Sequence, residues 1–166
     1  MSPTLPRLAL SVRQPWAWAI MHGGKDIENR VWRRPNPALA FRGPVAIHAA
    51  SGMTQDEYYG AADMIRRIVG DAPAPHELVR GCIIGTVDVT DMVRESTSPW
   101  FMGPLGLVLA NATPCAPIPV IGNLGFFPWQ PIDGGAPVPP AKWMLPKLEV
   151  AKCDLKTAPE NGELPL

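Results

Sequence analysis

Leu8, Leu10 and Val12 alternate with Ala9, Ser11 and Arg13, the period of a strand with one buried face. Pro15 suits a first helical turn, and the apolar run Trp16 to Met21 predicts a short helix closed at Gly23 and Gly24. Ile27, Asn29 and Val31 then alternate with Glu28, Arg30 and Trp32, a second strand with one charged face. Residues 33–42, with Pro35 and Pro37, read as a loop. The segment GPVAIHAA (43–50) is apolar enough for a central third strand. Thr54 with Glu57 three residues on is a capping-box signature. Tyr58, Ala61, Ala62, Ile65 and Ile68 follow at helical spacing, and Gly70 ends the run. Residues 76–80 suggest one more helical turn. CIIGTVDVTDMV (82–93) predicts a fourth strand and Leu105 to Ala110 a fifth. Beyond Thr113 the chain is rich in Pro and Gly. Short extended pieces such as 118–120 are expected there, with a last edge strand over 142–150.

Five or more strands with two or three helices interspersed is a mixed α/β or α+β pattern. Several connections are too short for a crossover helix, so the strands need not be parallel. One domain over residues 8–155 is expected, with an arm at 1–7 and a tail at 156–166.

Apolar residues make up 46% of the chain and charged residues 18%, with fifteen basic against fifteen acidic side chains. A protein tracking along many phosphates usually carries a basic excess, so a long nucleic-acid footprint is not expected, although net charge does not speak against a local positive pocket. Cys82, Cys115 and Cys153 are too scattered for a disulfide framework or a zinc knuckle. Reduced thiols in a cytoplasmic protein are the expectation. Residues 1–10 lack the apolar core of a signal peptide, and no membrane-spanning segment is expected. His22, His48 and His76 have no cysteine partners nearby, and neither a metal nor a cofactor is expected.

The chemistry concentrates in Gly23-Gly24-Lys25-Asp26-Ile27-Glu28-Asn29-Arg30. Glu28 and Arg30 stand two apart on a strand and leave by the same face, which Trp32 shares. Lys25 has the opposite parity, so it joins them only if the strand starts after it or its side chain bends over the edge. Arg and Lys offer donors to a phosphate or a base carbonyl, and Glu accepts from an exocyclic amine. A solvated row of surface ion pairs is the plainer reading of the same residues.

This stretch resembles the G-x-K-x-x-E-x-R pattern of the ASCH domain, with Gly23, Lys25, Glu28 and Arg30 in register. The flanks LSVRQPWAWAI and RGPVAIHAAS are similar to that family. So are SPWFMGPLGLVLANA and PIPVIGNLGFFPW, and the resemblance spans residues 8 to 130. It implies an α+β fold: a PUA-like mixed β-barrel of five to six strands, with two to three helices near its mouth and a cleft between. It also implies an association with single-stranded RNA, a nucleotide or a modified nucleobase. Some small members resemble amidohydrolases that use a Lys, a Thr nucleophile and a Glu. The lysine corresponds to Lys25, but Glu28 stands at the threonine's position. Others resemble single-strand ribonucleases, and members often act in transcription coactivation.

Three functions follow as expectations. The first is a binding module, with Lys25, Arg30 and the helix start at Arg13 and Gln14 taking phosphate or carbonyl groups. The second is a metal-independent hydrolase on RNA or a modified nucleoside, with Lys25 stabilising negative charge and Glu28 or His48 as base. The third is a protein-interaction module in transcription regulation. Each further candidate has a plainer reading. Gln14 could simply cap its helix. Trp16 is either a stacking platform or core. His48 is either a satisfied core residue or a base facing the cleft. Ser98 and Trp100 either clamp a base or plug one end of the barrel.

Overall fold

The computed structural model describes residues 4–148 of the 166. The tail expected at 156–166 lies outside the described residues, as do the last two positions of the strand expected at 142–150.

Among the described residues, six strands form one sheet in the order β2-β5-β4-β3-β1-β6. They are β1 (Leu8–Val12), β2 (Ile27–Arg30), β3 (Gly43–Ala49), β4 (Cys82–Val93), β5 (Leu105–Pro119) and β6 (Phe126–Pro128). Two α-helices accompany them, α1 (Trp16–His22) and α2 (Gln55–Val69), with three short 3-10 turns. The sheet curls into a half-barrel, giving the α+β, PUA-like architecture expected from the sequence. Only β1 and β3 pair in parallel, with Ser11 opposite His48; the other ladders are antiparallel. β3 is central, as its apolar composition requires.

The core lies between the curl of the sheet and α1. Leu10, Val12, Val45, Ile47, Val87 and Leu107 meet Ala17 and Ile20 of the helix. That helix approaches β4 at Gly85, where a Cβ would fall 2.4 Å from Met21 Sδ and 2.5 Å from the Thr113 carbonyl oxygen. Any larger residue would collide with the β5 backbone at Thr113 and Pro114. Thr54 caps α2 through the full capping box with Glu57, and Gly70 ends it in the left-handed conformation.

Three elements differ from the sequence expectation. β5 continues to Pro119 instead of stopping at Ala110, despite Pro114 and Pro117. Beyond Val108 it has no strand on its β2 side. Its prolines therefore sit along a free edge, where no ladder donor is required. The edge strand expected from Lys142 is a 3-10 turn, Lys142–Met144, that drops Met144 among Met53, Tyr58 and Leu78. Pro139, Pro140 and Pro146 around it remove the donors a strand would need. β6 was not expected. It is three residues long and owes its place to Phe127, buried against Ala9, Ala46 and Ile83.

The curl brings the two ends of the sheet together. Trp32, just past β2, packs on Phe126 of β6 with ring centroids 5.7 Å apart. The seam between β2 and β1 beside this contact is where the candidate residues gather.

Candidate functional site

The helix α1 ends at Gly23, and Gly24 at φ +70° turns the chain into β2. The strand begins at Ile27, after Lys25. Lys25 therefore escapes the parity of the strand and folds back onto it. Its Nζ donates to Glu28 Oε2 at 2.7 Å and to the Ile27 carbonyl, and lies 5.7 Å from the Trp16 ring centroid. Glu28 Oε1 pairs with Arg30 Nη2 at 3.2 Å. The same Nη2 donates to the Ser11 carbonyl at 2.7 Å, and the guanidinium carbon stands 5.4 Å from the Trp32 ring centroid. Lys25 and Glu28 are 3% and 8% exposed, so this is a buried relay and not a solvated row. Each Glu28 oxygen has a cationic partner, as burial of a charge requires.

Three hollows adjoin the relay. A small one of about 100 Å3 lies between Trp16, Lys25, Glu28 and Met102. A cleft of about 350 Å3 runs between Trp16 and Trp32, with Glu28, Arg30, Arg13 and Ser11 in its walls. A larger cavity of about 720 Å3 shares Ser11, Arg13 and Arg30 with that cleft and adds His48, Ser51 and Asn123. Its far wall is aliphatic: Val120, Ile121, Leu124 and Val138.

His48 stands against the larger cavity. Its Nδ1 lies 2.8 Å from Ser11 Oγ, the residue opposite it in the ladder, and Phe127 meets it edge-on. Gly122 rests on the ring, where a Cβ would come within 2.3 Å of His48 Cε1. Burial pushes the imidazole below its ordinary range, and the Val120 backbone partly offsets that shift. His48 Nε2 and Arg30 Nε are the two buried side-chain polar atoms without a hydrogen-bond partner among the described residues. Both belong to residues lining this cavity.

The structure thus brings Lys25, Glu28, Arg30, Trp16, Arg13 and His48 around adjoining hollows. Arg13 is half exposed and tied to Glu57 of α2 at 2.6 Å. Gln14, Ser98 and Trp100 stand elsewhere. Gln14 is buried, with Nε2 on the Val79 carbonyl and Oε1 accepting from Trp18 N, so it anchors α1. Ser98 bonds to Asp26. Trp100 is buried with Ala19, Ile27 and Ile65, the plug reading of that loop. Trp32 and the loop 121–125 line the hollows but are absent from the candidates read from sequence. The shared face of Glu28, Arg30 and Trp32 pointed to the first. The second lay within the family-like string PIPVIGNLGFFPW, but nothing in its pattern placed it at the site.

The ASCH domain profile matches residues 10–102, more than half of the chain. The chain belongs to the ASCH domain family. Its α1, β2, β3, α2 and β4, with the whole Lys25–Glu28–Arg30 relay, lie inside the matched span, which begins within β1. The chain is 30% identical over 88 residues to human activating signal cointegrator 1 and 28% identical over 88 residues to the mouse protein. Each alignment covers 52% of this chain but 14% of the relative, so the chain spans only a small part of the length of these relatives. The larger cavity draws on residues 120–138, beyond the matched span.

No group of three or more His, Cys, Asp or Glu among the described residues is placed to hold a metal ion. Burial raises the thiols of Cys82 and Cys115, which disfavours their thiolate forms. No helix among the described residues is long and apolar enough to cross a membrane.

Proposed function

We propose that this ASCH domain binds single-stranded RNA by taking one nucleotide into the seam between β1 and β2. The observation that carries the reading is Arg30. It is held by Glu28 and the Ser11 carbonyl, lies beside Trp32, and keeps a buried Nε–H donor without a partner. A phosphate or base carbonyl in the cleft would meet that donor. Trp16 and Trp32 offer stacking faces, and such stacking tolerates any base. The cleft and cavity volumes fall in the range of small-ligand sites, roughly 300–1,000 Å3. A net charge of zero fits a footprint of very few phosphates. In this reading Lys25 and Glu28 are positioning residues that fix Arg30.

The test is titration of a short single-stranded RNA into the protein, followed by tryptophan fluorescence. Binding by the native protein that weakens at least tenfold in Arg30→Ala supports the reading. Absence of binding by the native protein rejects it.

One observation favours a hydrolytic reading of the same site. Burial favours the neutral form of His48, and its Nε2 has no partner beside the cavity, as a general base needs. Arg30 would then stabilise charge on a reacting phosphate. The RNA in the titration is analysed for cleavage with chelator present. Products that vanish in His48→Gln support hydrolysis; intact RNA limits the protein to binding.

A further inference from the structure

The single-nucleotide reading uses the tryptophan cleft and leaves the larger cavity without an occupant. We propose that the two hollows together take two consecutive nucleotides of one RNA strand, with their shared phosphodiester between Arg13 and Arg30 and the edge of the second base on His48. This proposal rests on the single-nucleotide reading.

The residues common to both hollows are Ser11, Arg13 and Arg30. Two guanidiniums thus stand where the hollows meet, the place of the group joining two nucleosides. Arg13 is held there by Glu57, and its guanidinium fills the space over Gly52, where a Cβ would lie 3.1 Å from Nη1. A phosphodiester matches guanidinium geometry and charge.

The two hollows offer different chemistry. The cleft has tryptophan walls, which hold a base by its faces. The cavity has aliphatic walls and one unsatisfied imidazole atom, which holds a base by an edge. His48 is 1% exposed, and leaving a buried nitrogen unpaired is costly unless something arrives to pair it. A nucleobase edge carries donors and acceptors in an order that differs from base to base, so which base best pairs Nε2 depends on the ring's tautomer. Selectivity among bases should therefore arise at the His48 position, while the stacked position stays permissive.

The experiment compares adenosine 5′-monophosphate with 5′-phosphorylated ribodinucleotides and ribotrinucleotides of adenosine, each titrated into the native protein, His48→Ala and Leu124→Asp. Leu124 is 92% exposed at the cavity mouth, so its substitution leaves the core alone and sets a negative charge beside the second nucleotide. We expect the dinucleotide to bind at least about tenfold tighter than the monophosphate, with no further gain for the trinucleotide. In both variants the ratio should fall toward one. Equal binding of mono- and dinucleotide by the native protein overturns the two-nucleotide site but leaves the single-nucleotide reading intact. A ratio that survives in both variants, or a gain that continues to the trinucleotide, also overturns it. If no ligand binds, the single-nucleotide reading fails as well.

Discussion

Arg30 Nη2 reaches across the seam of the half-barrel to the Ser11 carbonyl at 2.7 Å. The two residues lie on strands that are not neighbours: β2 ends the sheet, and β1 is fifth in its order. One guanidinium therefore ties two distant strands together while lining the hollows between them. Closure of the fold and the proposed capture of a nucleotide converge on that side chain.

The relay beneath it should behave as one unit. Lys25 and Glu28 have side chains only 2% and 11% exposed. Lys25→Met leaves Glu28 with half of its partners, and we expect a loss of about 3–5 kcal/mol in urea denaturation. The double variant Lys25→Met/Glu28→Leu removes both charges together. It should recover part of that loss while failing to hold Arg30 for RNA.

Gln14 separates anchoring from recognition. Its amide joins Val79 to Trp18. Gln14→Ala should lower unfolding free energy by about 1–3 kcal/mol, because a buried carbonyl and a helix N–H lose their partners. RNA affinity measured well below the melting temperature should be unchanged.

His48 should give the protein an acid-sensitive component of stability. Its folded-state pKa lies below the ordinary 6.5, so the unfolded chain binds the proton more readily. The contribution is fully present above pH 6.5 and is lost as the pH falls from there toward the folded-state value. Melting temperature followed across that window should drop more steeply in the native protein than in His48→Gln.

Much of the relay was legible because it is local. A glycine turn, a lysine and two same-face charges lie within eight residues, and strand parity let the three meet only if β2 started after Lys25 or the lysine bent over the edge. Thr54, Glu57 and Gly70 were legible for the same reason. For Gln14 and Trp100 two readings stayed open, because the choice is set by Val79 and Ile65, far along the chain. The loop 121–125 and β6 have no periodicity. The loop is placed by Gly122 on His48 and the strand by Phe127 on Ala46, contacts that exist only after the sheet has curled. Sequence singled out the charged residues that line the hollows and missed the wall that makes the larger cavity.

The most direct measurement is the proton–nitrogen resonance of the Arg30 Nε–H group, assigned by its loss in Arg30→Lys, while a nucleoside 5′-monophosphate is added. Capture of the ligand by Arg30 predicts a saturating shift of that resonance, with the same midpoint as the quenching of tryptophan fluorescence. Quenching that saturates while the Arg30 resonance stays fixed would place the ligand elsewhere and contradict the account.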